Sequence, residues 1–312
     1  MSVWCADWDA LDRTGPTARA AGGNAQRRKV AALAQTGQEK RALIPTTRHH
    51  VGAVTAFSDF IILRQPDDTT CGPTCLQAVY RHFGDHLPLP QLIAEVPRLE
   101  TGGTLAVLLG QHALERGYRA TLLTYNLKVF DPTWFALPHD GLVAKLRAHA
   151  AVENTVENAV ESAVEKSPRV RKATRGYLDF VVAGGEVRMP DLTAAVIAEP
   201  LGRGIPILAG LSATYLYRSA RELGTPLRFD DLHGEPQGHF VVLCGLDQQA
   251  GTVRVADPQR PNPLSSEPFY EVGIERLVCA IMLGVLTFDA NLLVLEPGGL
   301  FRGSPSMGSP YA

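Results

Sequence analysis

Between Gly72 and Gly84 the apolar side chains of Cys75, Leu76, Val79, Tyr80 and Phe83 recur every three or four positions. That spacing predicts a helix. Asp68 or Thr70 is placed to cap its start, Pro73 suits the first turn and Gly84 suits the stop, so Cys71 falls at a helix N-terminus. An apolar run at Phe60-Ile61-Ile62-Leu63 and a turn-forming segment from Gln65 to Thr70 lead into it. Residues 89–99 and 104–116 read as two further helices, and residues 119–125 as a strand. The first half of the chain is therefore expected to be mostly helical.

Further on, Val152, Val156, Val160 and Val164 recur with a period of four between residues 151 and 166. They form one slowly drifting stripe, which predicts an amphipathic helix with its glutamates facing solvent. Strands are expected at residues 177–182 and 205–211, with a helix at 191–199 between them. The second half is expected to form the sheet. Its clearest piece is a hairpin in which residues 239–246 and 252–257 flank the polar, Gly-containing turn 247–251. If the turn is centred at position 248, His239 and Asp257 face each other. Directly opposed side chains have Cβ atoms about 4.5–5.5 Å apart, within reach for a carboxylate and an imidazole.

Composition narrows the class. A chain of 312 residues, 45% hydrophobic and 20% charged, is ordinary for a soluble globular protein. Its formal charge of −2 supplies no field that would draw it to nucleic acid or to an anionic membrane. No stretch reaches the roughly 18 consecutive apolar residues of a membrane helix. The first 52 residues read as a disordered or peripheral extension without the apolar core of a secretory signal, and residues 298–312 as a flexible Gly/Ser/Pro-rich tail. Five scattered cysteines, Cys5, Cys71, Cys75, Cys244 and Cys279, suit reduced thiols in the cytoplasm better than a disulfide framework. Cys244 and Cys279 sit in apolar runs and are expected to be buried packing residues.

Against this background four residues have chemistry to offer. A cysteine attacks as the thiolate, and a helix N-terminus with a neighbouring imidazolium is the usual way to produce one near neutral pH. Cys71 has the first. His239 offers the second and a proton for the leaving group, and Asp257 would hold its ring in the useful tautomer. The backbone N–H of Cys71 and the side-chain amide of Gln65 are candidate donors to a tetrahedral oxyanion. Cys75, one turn on, reads as core. A metal site on Cys71 and Cys75 would lack two ligands of matching type, so no metal or other cofactor is expected. His233 reads as a surface histidine, and Tyr215 and Tyr217 as core or as the border of a groove.

The segment from Gln65 to Leu76 with its Cys-Gly-Pro-Thr-Cys core, Gly238-His239-Phe240-Val241-Val242, and Val255-Ala256-Asp257-Pro258 together resemble the C39-like cysteine peptidases of the papain-like superfamily. The resemblance spans about residues 58–296. It implies an α+β, papain-like fold in which a helical first half carrying the nucleophile helix packs on an antiparallel sheet from the second half. It also implies a single domain over residues 53–297 with a helical insertion near 140–170. Cys71, His239, Asp257 and Gln65 would be nucleophile, base, orienter and oxyanion donor, acting on a peptide or peptide-like substrate. The same acyl-enzyme serves hydrolysis of a peptide or isopeptide bond and acyl transfer to an amine. A catalytically silent peptide-binding domain is the third possibility.

Overall fold

The structure, a computed structural model, describes residues 55–100, 102–152, 168–224 and 228–298. The expected N-terminal extension, most of the valine repeat and the tail lie outside the described residues. In chain order the elements are β1 (Thr55–Ala56), α1 (Cys71–His82), α2 (Leu89–Glu95), α3 (Ala106–Glu115) and β2 (Tyr118–Thr124). Then come α4 (His139–Val152), α5 (Pro168–Val182), β3 (Glu186–Arg188), α6 (Ala194–Gly202), β4 (Ile207–Ser212) and α7 (Ala213–Tyr217). The remainder is β5 (Glu222–Leu223), β6 (Arg228–Phe229), β7 (Gly238–Asp247), β8 (Thr252–Ala256), β9 (Phe269–Gly273), α8 (Ile274–Leu283) and β10 (Asn291–Pro297).

The main sheet has the order β3-β2-β10-β4-β7-β8-β9, with β1 pairing the far end of β7; β5 and β6 form a separate ribbon. Every pairing is antiparallel except that of β2 with β3. Both faces of the sheet are covered. Residues of α1, α3 and α5 share one core with Leu122, Leu208, Val242 and Leu293, while α6 and α8 share the other with Leu123, Ile207, Val241, Leu243, Val255 and Leu292. Burial on both faces is why β4 and β7 read as unbroken apolar runs. The fold is α+β, with the Cys71 helix packed on a largely antiparallel sheet. The expected halves interleave, however: β2 comes from the first half, and α5, α6 and α8 come from the second.

Several local expectations need correction. Residues 177–182 are the end of helix α5. Val170, Ala173, Tyr177, Phe180 and Val181 are buried at helical spacing over the full element, whereas a six-residue window shows only its β-prone end. Helix α2 stops at Glu95 because Val96, held before Pro97, adopts an extended ψ of 123°. Helix α6 starts and ends about three residues later than expected and runs past Pro200. Neither Asp68 nor Thr70 caps α1. The N-cap residue Thr70 makes no side-chain cap bond and donates its hydroxyl backward to the Asp67 carbonyl at 3.0 Å. The C-terminal expectation stands: Gly84 has φ of 80°, its N–H reaches the Arg81 carbonyl, and the Asp85 N–H reaches that of Tyr80. That pair of bonds is a Schellman closure.

The hairpin forms with a different register. Asp247 pairs with Thr252, a bulge intervenes between Leu243 and Gly245, and Leu243 and Val242 pair with Val255 and Ala256. Continuing the ladder places position 257 opposite 241. His239 is thus a diagonal neighbour of Asp257, not its directly opposed partner. Diagonal positions stay within reach of long or polar side chains.

Candidate active site

Helix α1 approaches β7 closely because Gly72 has no side chain. A Cβ there would lie 2.8 Å from Thr104 Cγ2 and 3.2 Å from Phe240 Cδ2. One turn on, the buried Cys75 thiol donates to the Phe240 carbonyl at 3.2 Å, so Cys75 is the core residue its spacing suggested. Burial pushes that thiol well above its ordinary pKa, and the nearby sulfur of Cys71 adds to the effect. Cys71 occupies the first position of α1, buried, with its N–H outside the helical ladder. No acidic residue stands in the first turn, and Arg81 and His82 stand in the last, so the positive end of the helix dipole is uncompensated at Cys71.

His239 is the second residue of β7 and is buried. Its Nε2 lies 2.9 Å from Asp257 Oδ1, which leaves Nδ1 free of that bond, and the Cys71 thiol is within hydrogen-bond reach of the ring. Position 239 shares parity with Val241 and Leu243, on the sheet face opposite to α1. Burial favours the neutral ring, but the Asp257 charge and hydrogen bond, together with Cys71, outweigh it and raise the His239 pKa to about 10.

Asp257 is completely buried and fully bonded. Oδ1 accepts from His239 and from the Gln259 N–H at 2.9 Å, and Oδ2 accepts from the hydroxyls of Tyr217 at 2.7 Å and Tyr270 at 2.8 Å. Burial pushes its pKa up, yet the imidazolium and these donors hold it below the usual carboxylate value. A carboxylate with four donors stays charged in a dry site. Both tyrosines are in turn kept protonated by burial and by the Asp257 charge.

Gln65 is tied to the same corner. Its backbone N–H donates to the Pro258 carbonyl at 3.0 Å, and the Arg260 guanidinium holds the preceding segment through the Ile62 carbonyl. Its Oε1 is enclosed and has no hydrogen-bond partner among the described residues. The four residues predicted from the sequence thus come to one end of the sheet: Cys71 from a helix start, His239 and Asp257 from a hairpin, and Gln65 from a strap pinned to it.

Other expectations resolve differently. Tyr217 is buried and serves Asp257 directly. Tyr270, from β9, was absent from the sequence reading, and nothing in its local pattern marks it. Cys244 is buried as expected, but Cys279 is exposed because it lies on the outer side of α8. His233 is an exposed residue paired with Asp230 at 3.2 Å. A cavity of about 830 Å³ opens elsewhere, where β2, β3 and β10 meet α6. None of the four site residues lines it, and its arginines Arg119, Arg188 and Arg203 are paired with Glu296, Glu186 and Glu199. No helix among the described residues is long and apolar enough to cross a membrane.

Among curated proteins no sequence matches. A Bacillus anthracis protein assigned as a C39-like peptidase is similar in structure at 14% identity, covering 78% of this chain and 98% of that one, with a TM-score of 0.41. The peptidase domain of Streptococcus ComA, a bi-functional ABC transporter involved in a quorum-sensing pathway, is similar at 15% identity over 76% and 98%, with a TM-score of 0.35. The family model for the Peptidase_C39 like family matches residues 57–268, more than half of the chain and the stretch that contains Gln65, Cys71, His239 and Asp257. The chain belongs to the Peptidase_C39 like family.

Proposed function

We propose that the protein is a cysteine peptidase-like hydrolase that cleaves a peptide or isopeptide bond through an acyl-enzyme on Cys71. The observation that carries this reading is the chain of contacts from a helix-start thiol to a buried imidazole to a four-donor carboxylate. His239 takes the Cys71 proton on Nδ1, and the charge so formed is stabilised by Asp257 across the ring. Thiolate attack on the carbonyl carbon forms the C–S bond, while the Cys71 N–H and the Gln65 amide receive the developing oxyanion. Collapse of the tetrahedral adduct breaks the C–N bond, and His239 returns the proton to the leaving amine. Water, deprotonated by His239, then resolves the thioester. The unpaired thiols of Cys71, Cys75, Cys244 and Cys279 suit a reducing compartment, and we take the cytoplasm as the site of action.

Alkylation by iodoacetamide tests the mechanism. Cys71 should be labelled selectively, and His239→Ala should slow its labelling at pH 6.5 roughly tenfold or more, because an unassisted thiol with a pKa near 8.5 is only about 1% ionised there. Labelling indifferent to His239 would overturn the ion-pair mechanism. Mass spectrometry of peptides incubated with and without amine acceptors separates hydrolysis from acyl transfer: amide exchange outrunning release of free acid would replace the hydrolase with a transferase.

A further inference from the structure

Two cations that the mechanism above does not use are gathered on one aromatic ring. Lys128 Nζ lies 5.1 Å from the centroid of Phe288, and the guanidinium carbon of Arg169 lies 5.3 Å from it. The ring attracts both, but it does not cancel their repulsion of each other. Neither takes part in an ion pair among the described residues. Arg169 is half-buried, and its Nε is enclosed with no hydrogen-bond partner among the described residues. Lys128 is exposed. Asp289, next to Phe288 in the chain, is itself buried and pairs with neither. An unpaired, partly enclosed guanidinium beside a second cation is a place prepared for an anion.

The patch is held from three elements. After β2, the buried Asn126 closes a turn: its Oδ1 accepts the Lys128 N–H at 3.1 Å, and its carbonyl accepts the N–H groups of Val129 and Phe130, each at 3.1 Å. The Tyr125 N–H ties that turn to the Ala290 carbonyl at 3.0 Å. From β10, Asn291 Nδ2 donates to the Phe288 carbonyl at 3.1 Å, while Asn291 Oδ1 accepts from the buried hydroxyl of Tyr177 at 2.8 Å, on the same helix α5 that carries Arg169. Phe288 holds a φ of 65°, which non-glycine residues rarely adopt and which these bonds enforce. The patch also lies on the Cys71 side of the sheet, since Phe288, Phe240 and Cys71 share one core. The Phe240 ring fills the space between Gly72 and Gly210, where added Cβ atoms would lie 3.2 Å and 2.9 Å from it, and a Cβ on Gly210 would lie 2.3 Å from the Asp289 carbonyl oxygen. A Cβ on Gly238, the residue before His239, would lie 1.8 Å from Asp289 Oδ2. Through these contacts Phe288 stands about 10–15 Å from the Cys71–His239 pair, the span of three or four extended residues at about 3.3–3.6 Å each.

We propose that Lys128 and Arg169, gathered on Phe288, form a subsite for a carboxylate of the substrate, an acidic side chain or a free C-terminus, carried three or four residues from the bond that Cys71 attacks. The inference rests on Cys71 being the nucleophile toward a peptide. A carboxylate seated there receives N–H donors from both cations, and the planar guanidinium fixes its orientation. It also removes the repulsion between its hosts. A neutral amide of the same shape leaves the two charges uncompensated, so the subsite discriminates between glutamate and glutamine at one register of the bound peptide.

The experiment uses the full chain and peptides that carry an electrophile. In one series a chloroacetyl group precedes a spacer of one to five glycines and a glutamate amide. In a second, of opposite direction, an acetylated glutamate precedes the glycines and a chloromethyl ketone. Each probe has a glutamine counterpart, and a third set replaces the glutamate amide by a glycine with either a free or an amidated C-terminus. The Cys71 thiolate displaces chloride, and mass spectrometry gives the rate. In the native protein the carboxylate probe should react roughly three- to tenfold faster than its amide at a spacer near three or four residues. A preference for glutamate assigns the subsite to an acidic side chain, and a preference for the free glycine acid assigns it to a C-terminus. Lys128→Gln and Arg169→Gln should each reduce the ratio, and Lys128→Glu should take it below one. The latter change is at an exposed position and carries the test if Arg169→Gln does not fold. A ratio near one at every spacer in both directions, or a ratio that survives Lys128→Glu, overturns the proposal. Iodoacetamide labelling that ignores His239→Ala overturns the nucleophile reading and this proposal with it. A ratio near one while His239→Ala still slows labelling overturns this proposal alone.

Discussion

Removing either tyrosine hydroxyl from Asp257 should destabilise the protein far more than a Tyr→Phe change ordinarily does, and only while Asp257 is charged. Tyr217 and Tyr270 donate to the same Oδ2 at 2.7 and 2.8 Å, and the carboxylate has no exposed surface through which water could replace them. Phenylalanine keeps the ring and its packing, so the loss is confined to the bond. A hydrogen bond to a charged group contributes about 1.5–3 kcal/mol net, which sets the expected cost at roughly 2 kcal/mol for each single variant. In the double variant Oδ2 is left without a donor in a dry site, so its cost should exceed the sum of the singles by about 1 kcal/mol or more. The sign of the pH dependence follows from Asp257 having its pKa depressed in the folded protein. Its stabilisation is complete above the unfolded carboxylate value of about 3.9 and fades as pH falls through the lower folded value. Urea unfolding at pH 7 and near pH 2–3 is the assay, with the slope checked for constancy. The single-variant deficits should shrink at acid pH toward the roughly 0.5–1.5 kcal/mol of a neutral bond. Deficits below about 0.5 kcal/mol at pH 7, or equal deficits at both pH values, would refute the description of Asp257 as a tyrosine-clamped charge.

Two other outcomes follow from the same geometry. Gly72→Ala places a methyl 2.8 Å from Thr104 Cγ2 with Leu109 and Phe240 close behind, so overpacking should cost about 1–3 kcal/mol in thermal or denaturant unfolding and slow Cys71 labelling as α1 shifts away from β7. Asp289→Asn should stabilise the protein at pH 8: a carboxyl whose folded pKa is raised from 3.8 to about 7 weakens folding progressively as pH rises through that window, by up to ~4 kcal/mol, and the amide escapes this cost. Thermal melts at pH 5 and pH 8 should show the variant gaining at the higher pH, and no gain there would refute the reading of Asp289 as an acid whose ionisation burial opposes.

What could be read from the sequence was what lies in short, self-contained stretches. The α1 segment announces itself through its apolar spacing and closing glycine, and the hairpin through two β-rich runs around Asp247–Gly251. Both carry their candidate site residues at predictable ends. Register was harder, because a bulge at Cys244 adds a residue to one strand without changing the alternation that a reader counts. The strand assigned to residues 177–182 failed because β-branched and aromatic residues packed along a buried helix face look the same over one and a half turns. Tyr270 was invisible because its role depends on β9 folding beside β8, a pairing no local pattern specifies. Gly238 before the histidine did hold a clue. A glycine inside an apolar strand signals a close approach, though the residue that approaches, Asp289, lies in a separate part of the chain.

The link between Gln65 and Pro258, together with the contact of Cys75 with Phe240 across 165 residues of sequence, has a consequence for how the protein is made. During synthesis the segment bearing Cys71 emerges long before the hairpin that completes the site, and contacts of such long sequence separation form late in folding. The nascent chain therefore displays an ordinary thiol without a base, an orienting acid or a pinned amide. On the proposed mechanism, reactivity arrives only when the second half closes onto the first, so a chain of this design would leave the ribosome chemically quiet and acquire its nucleophile as the final product of its own folding.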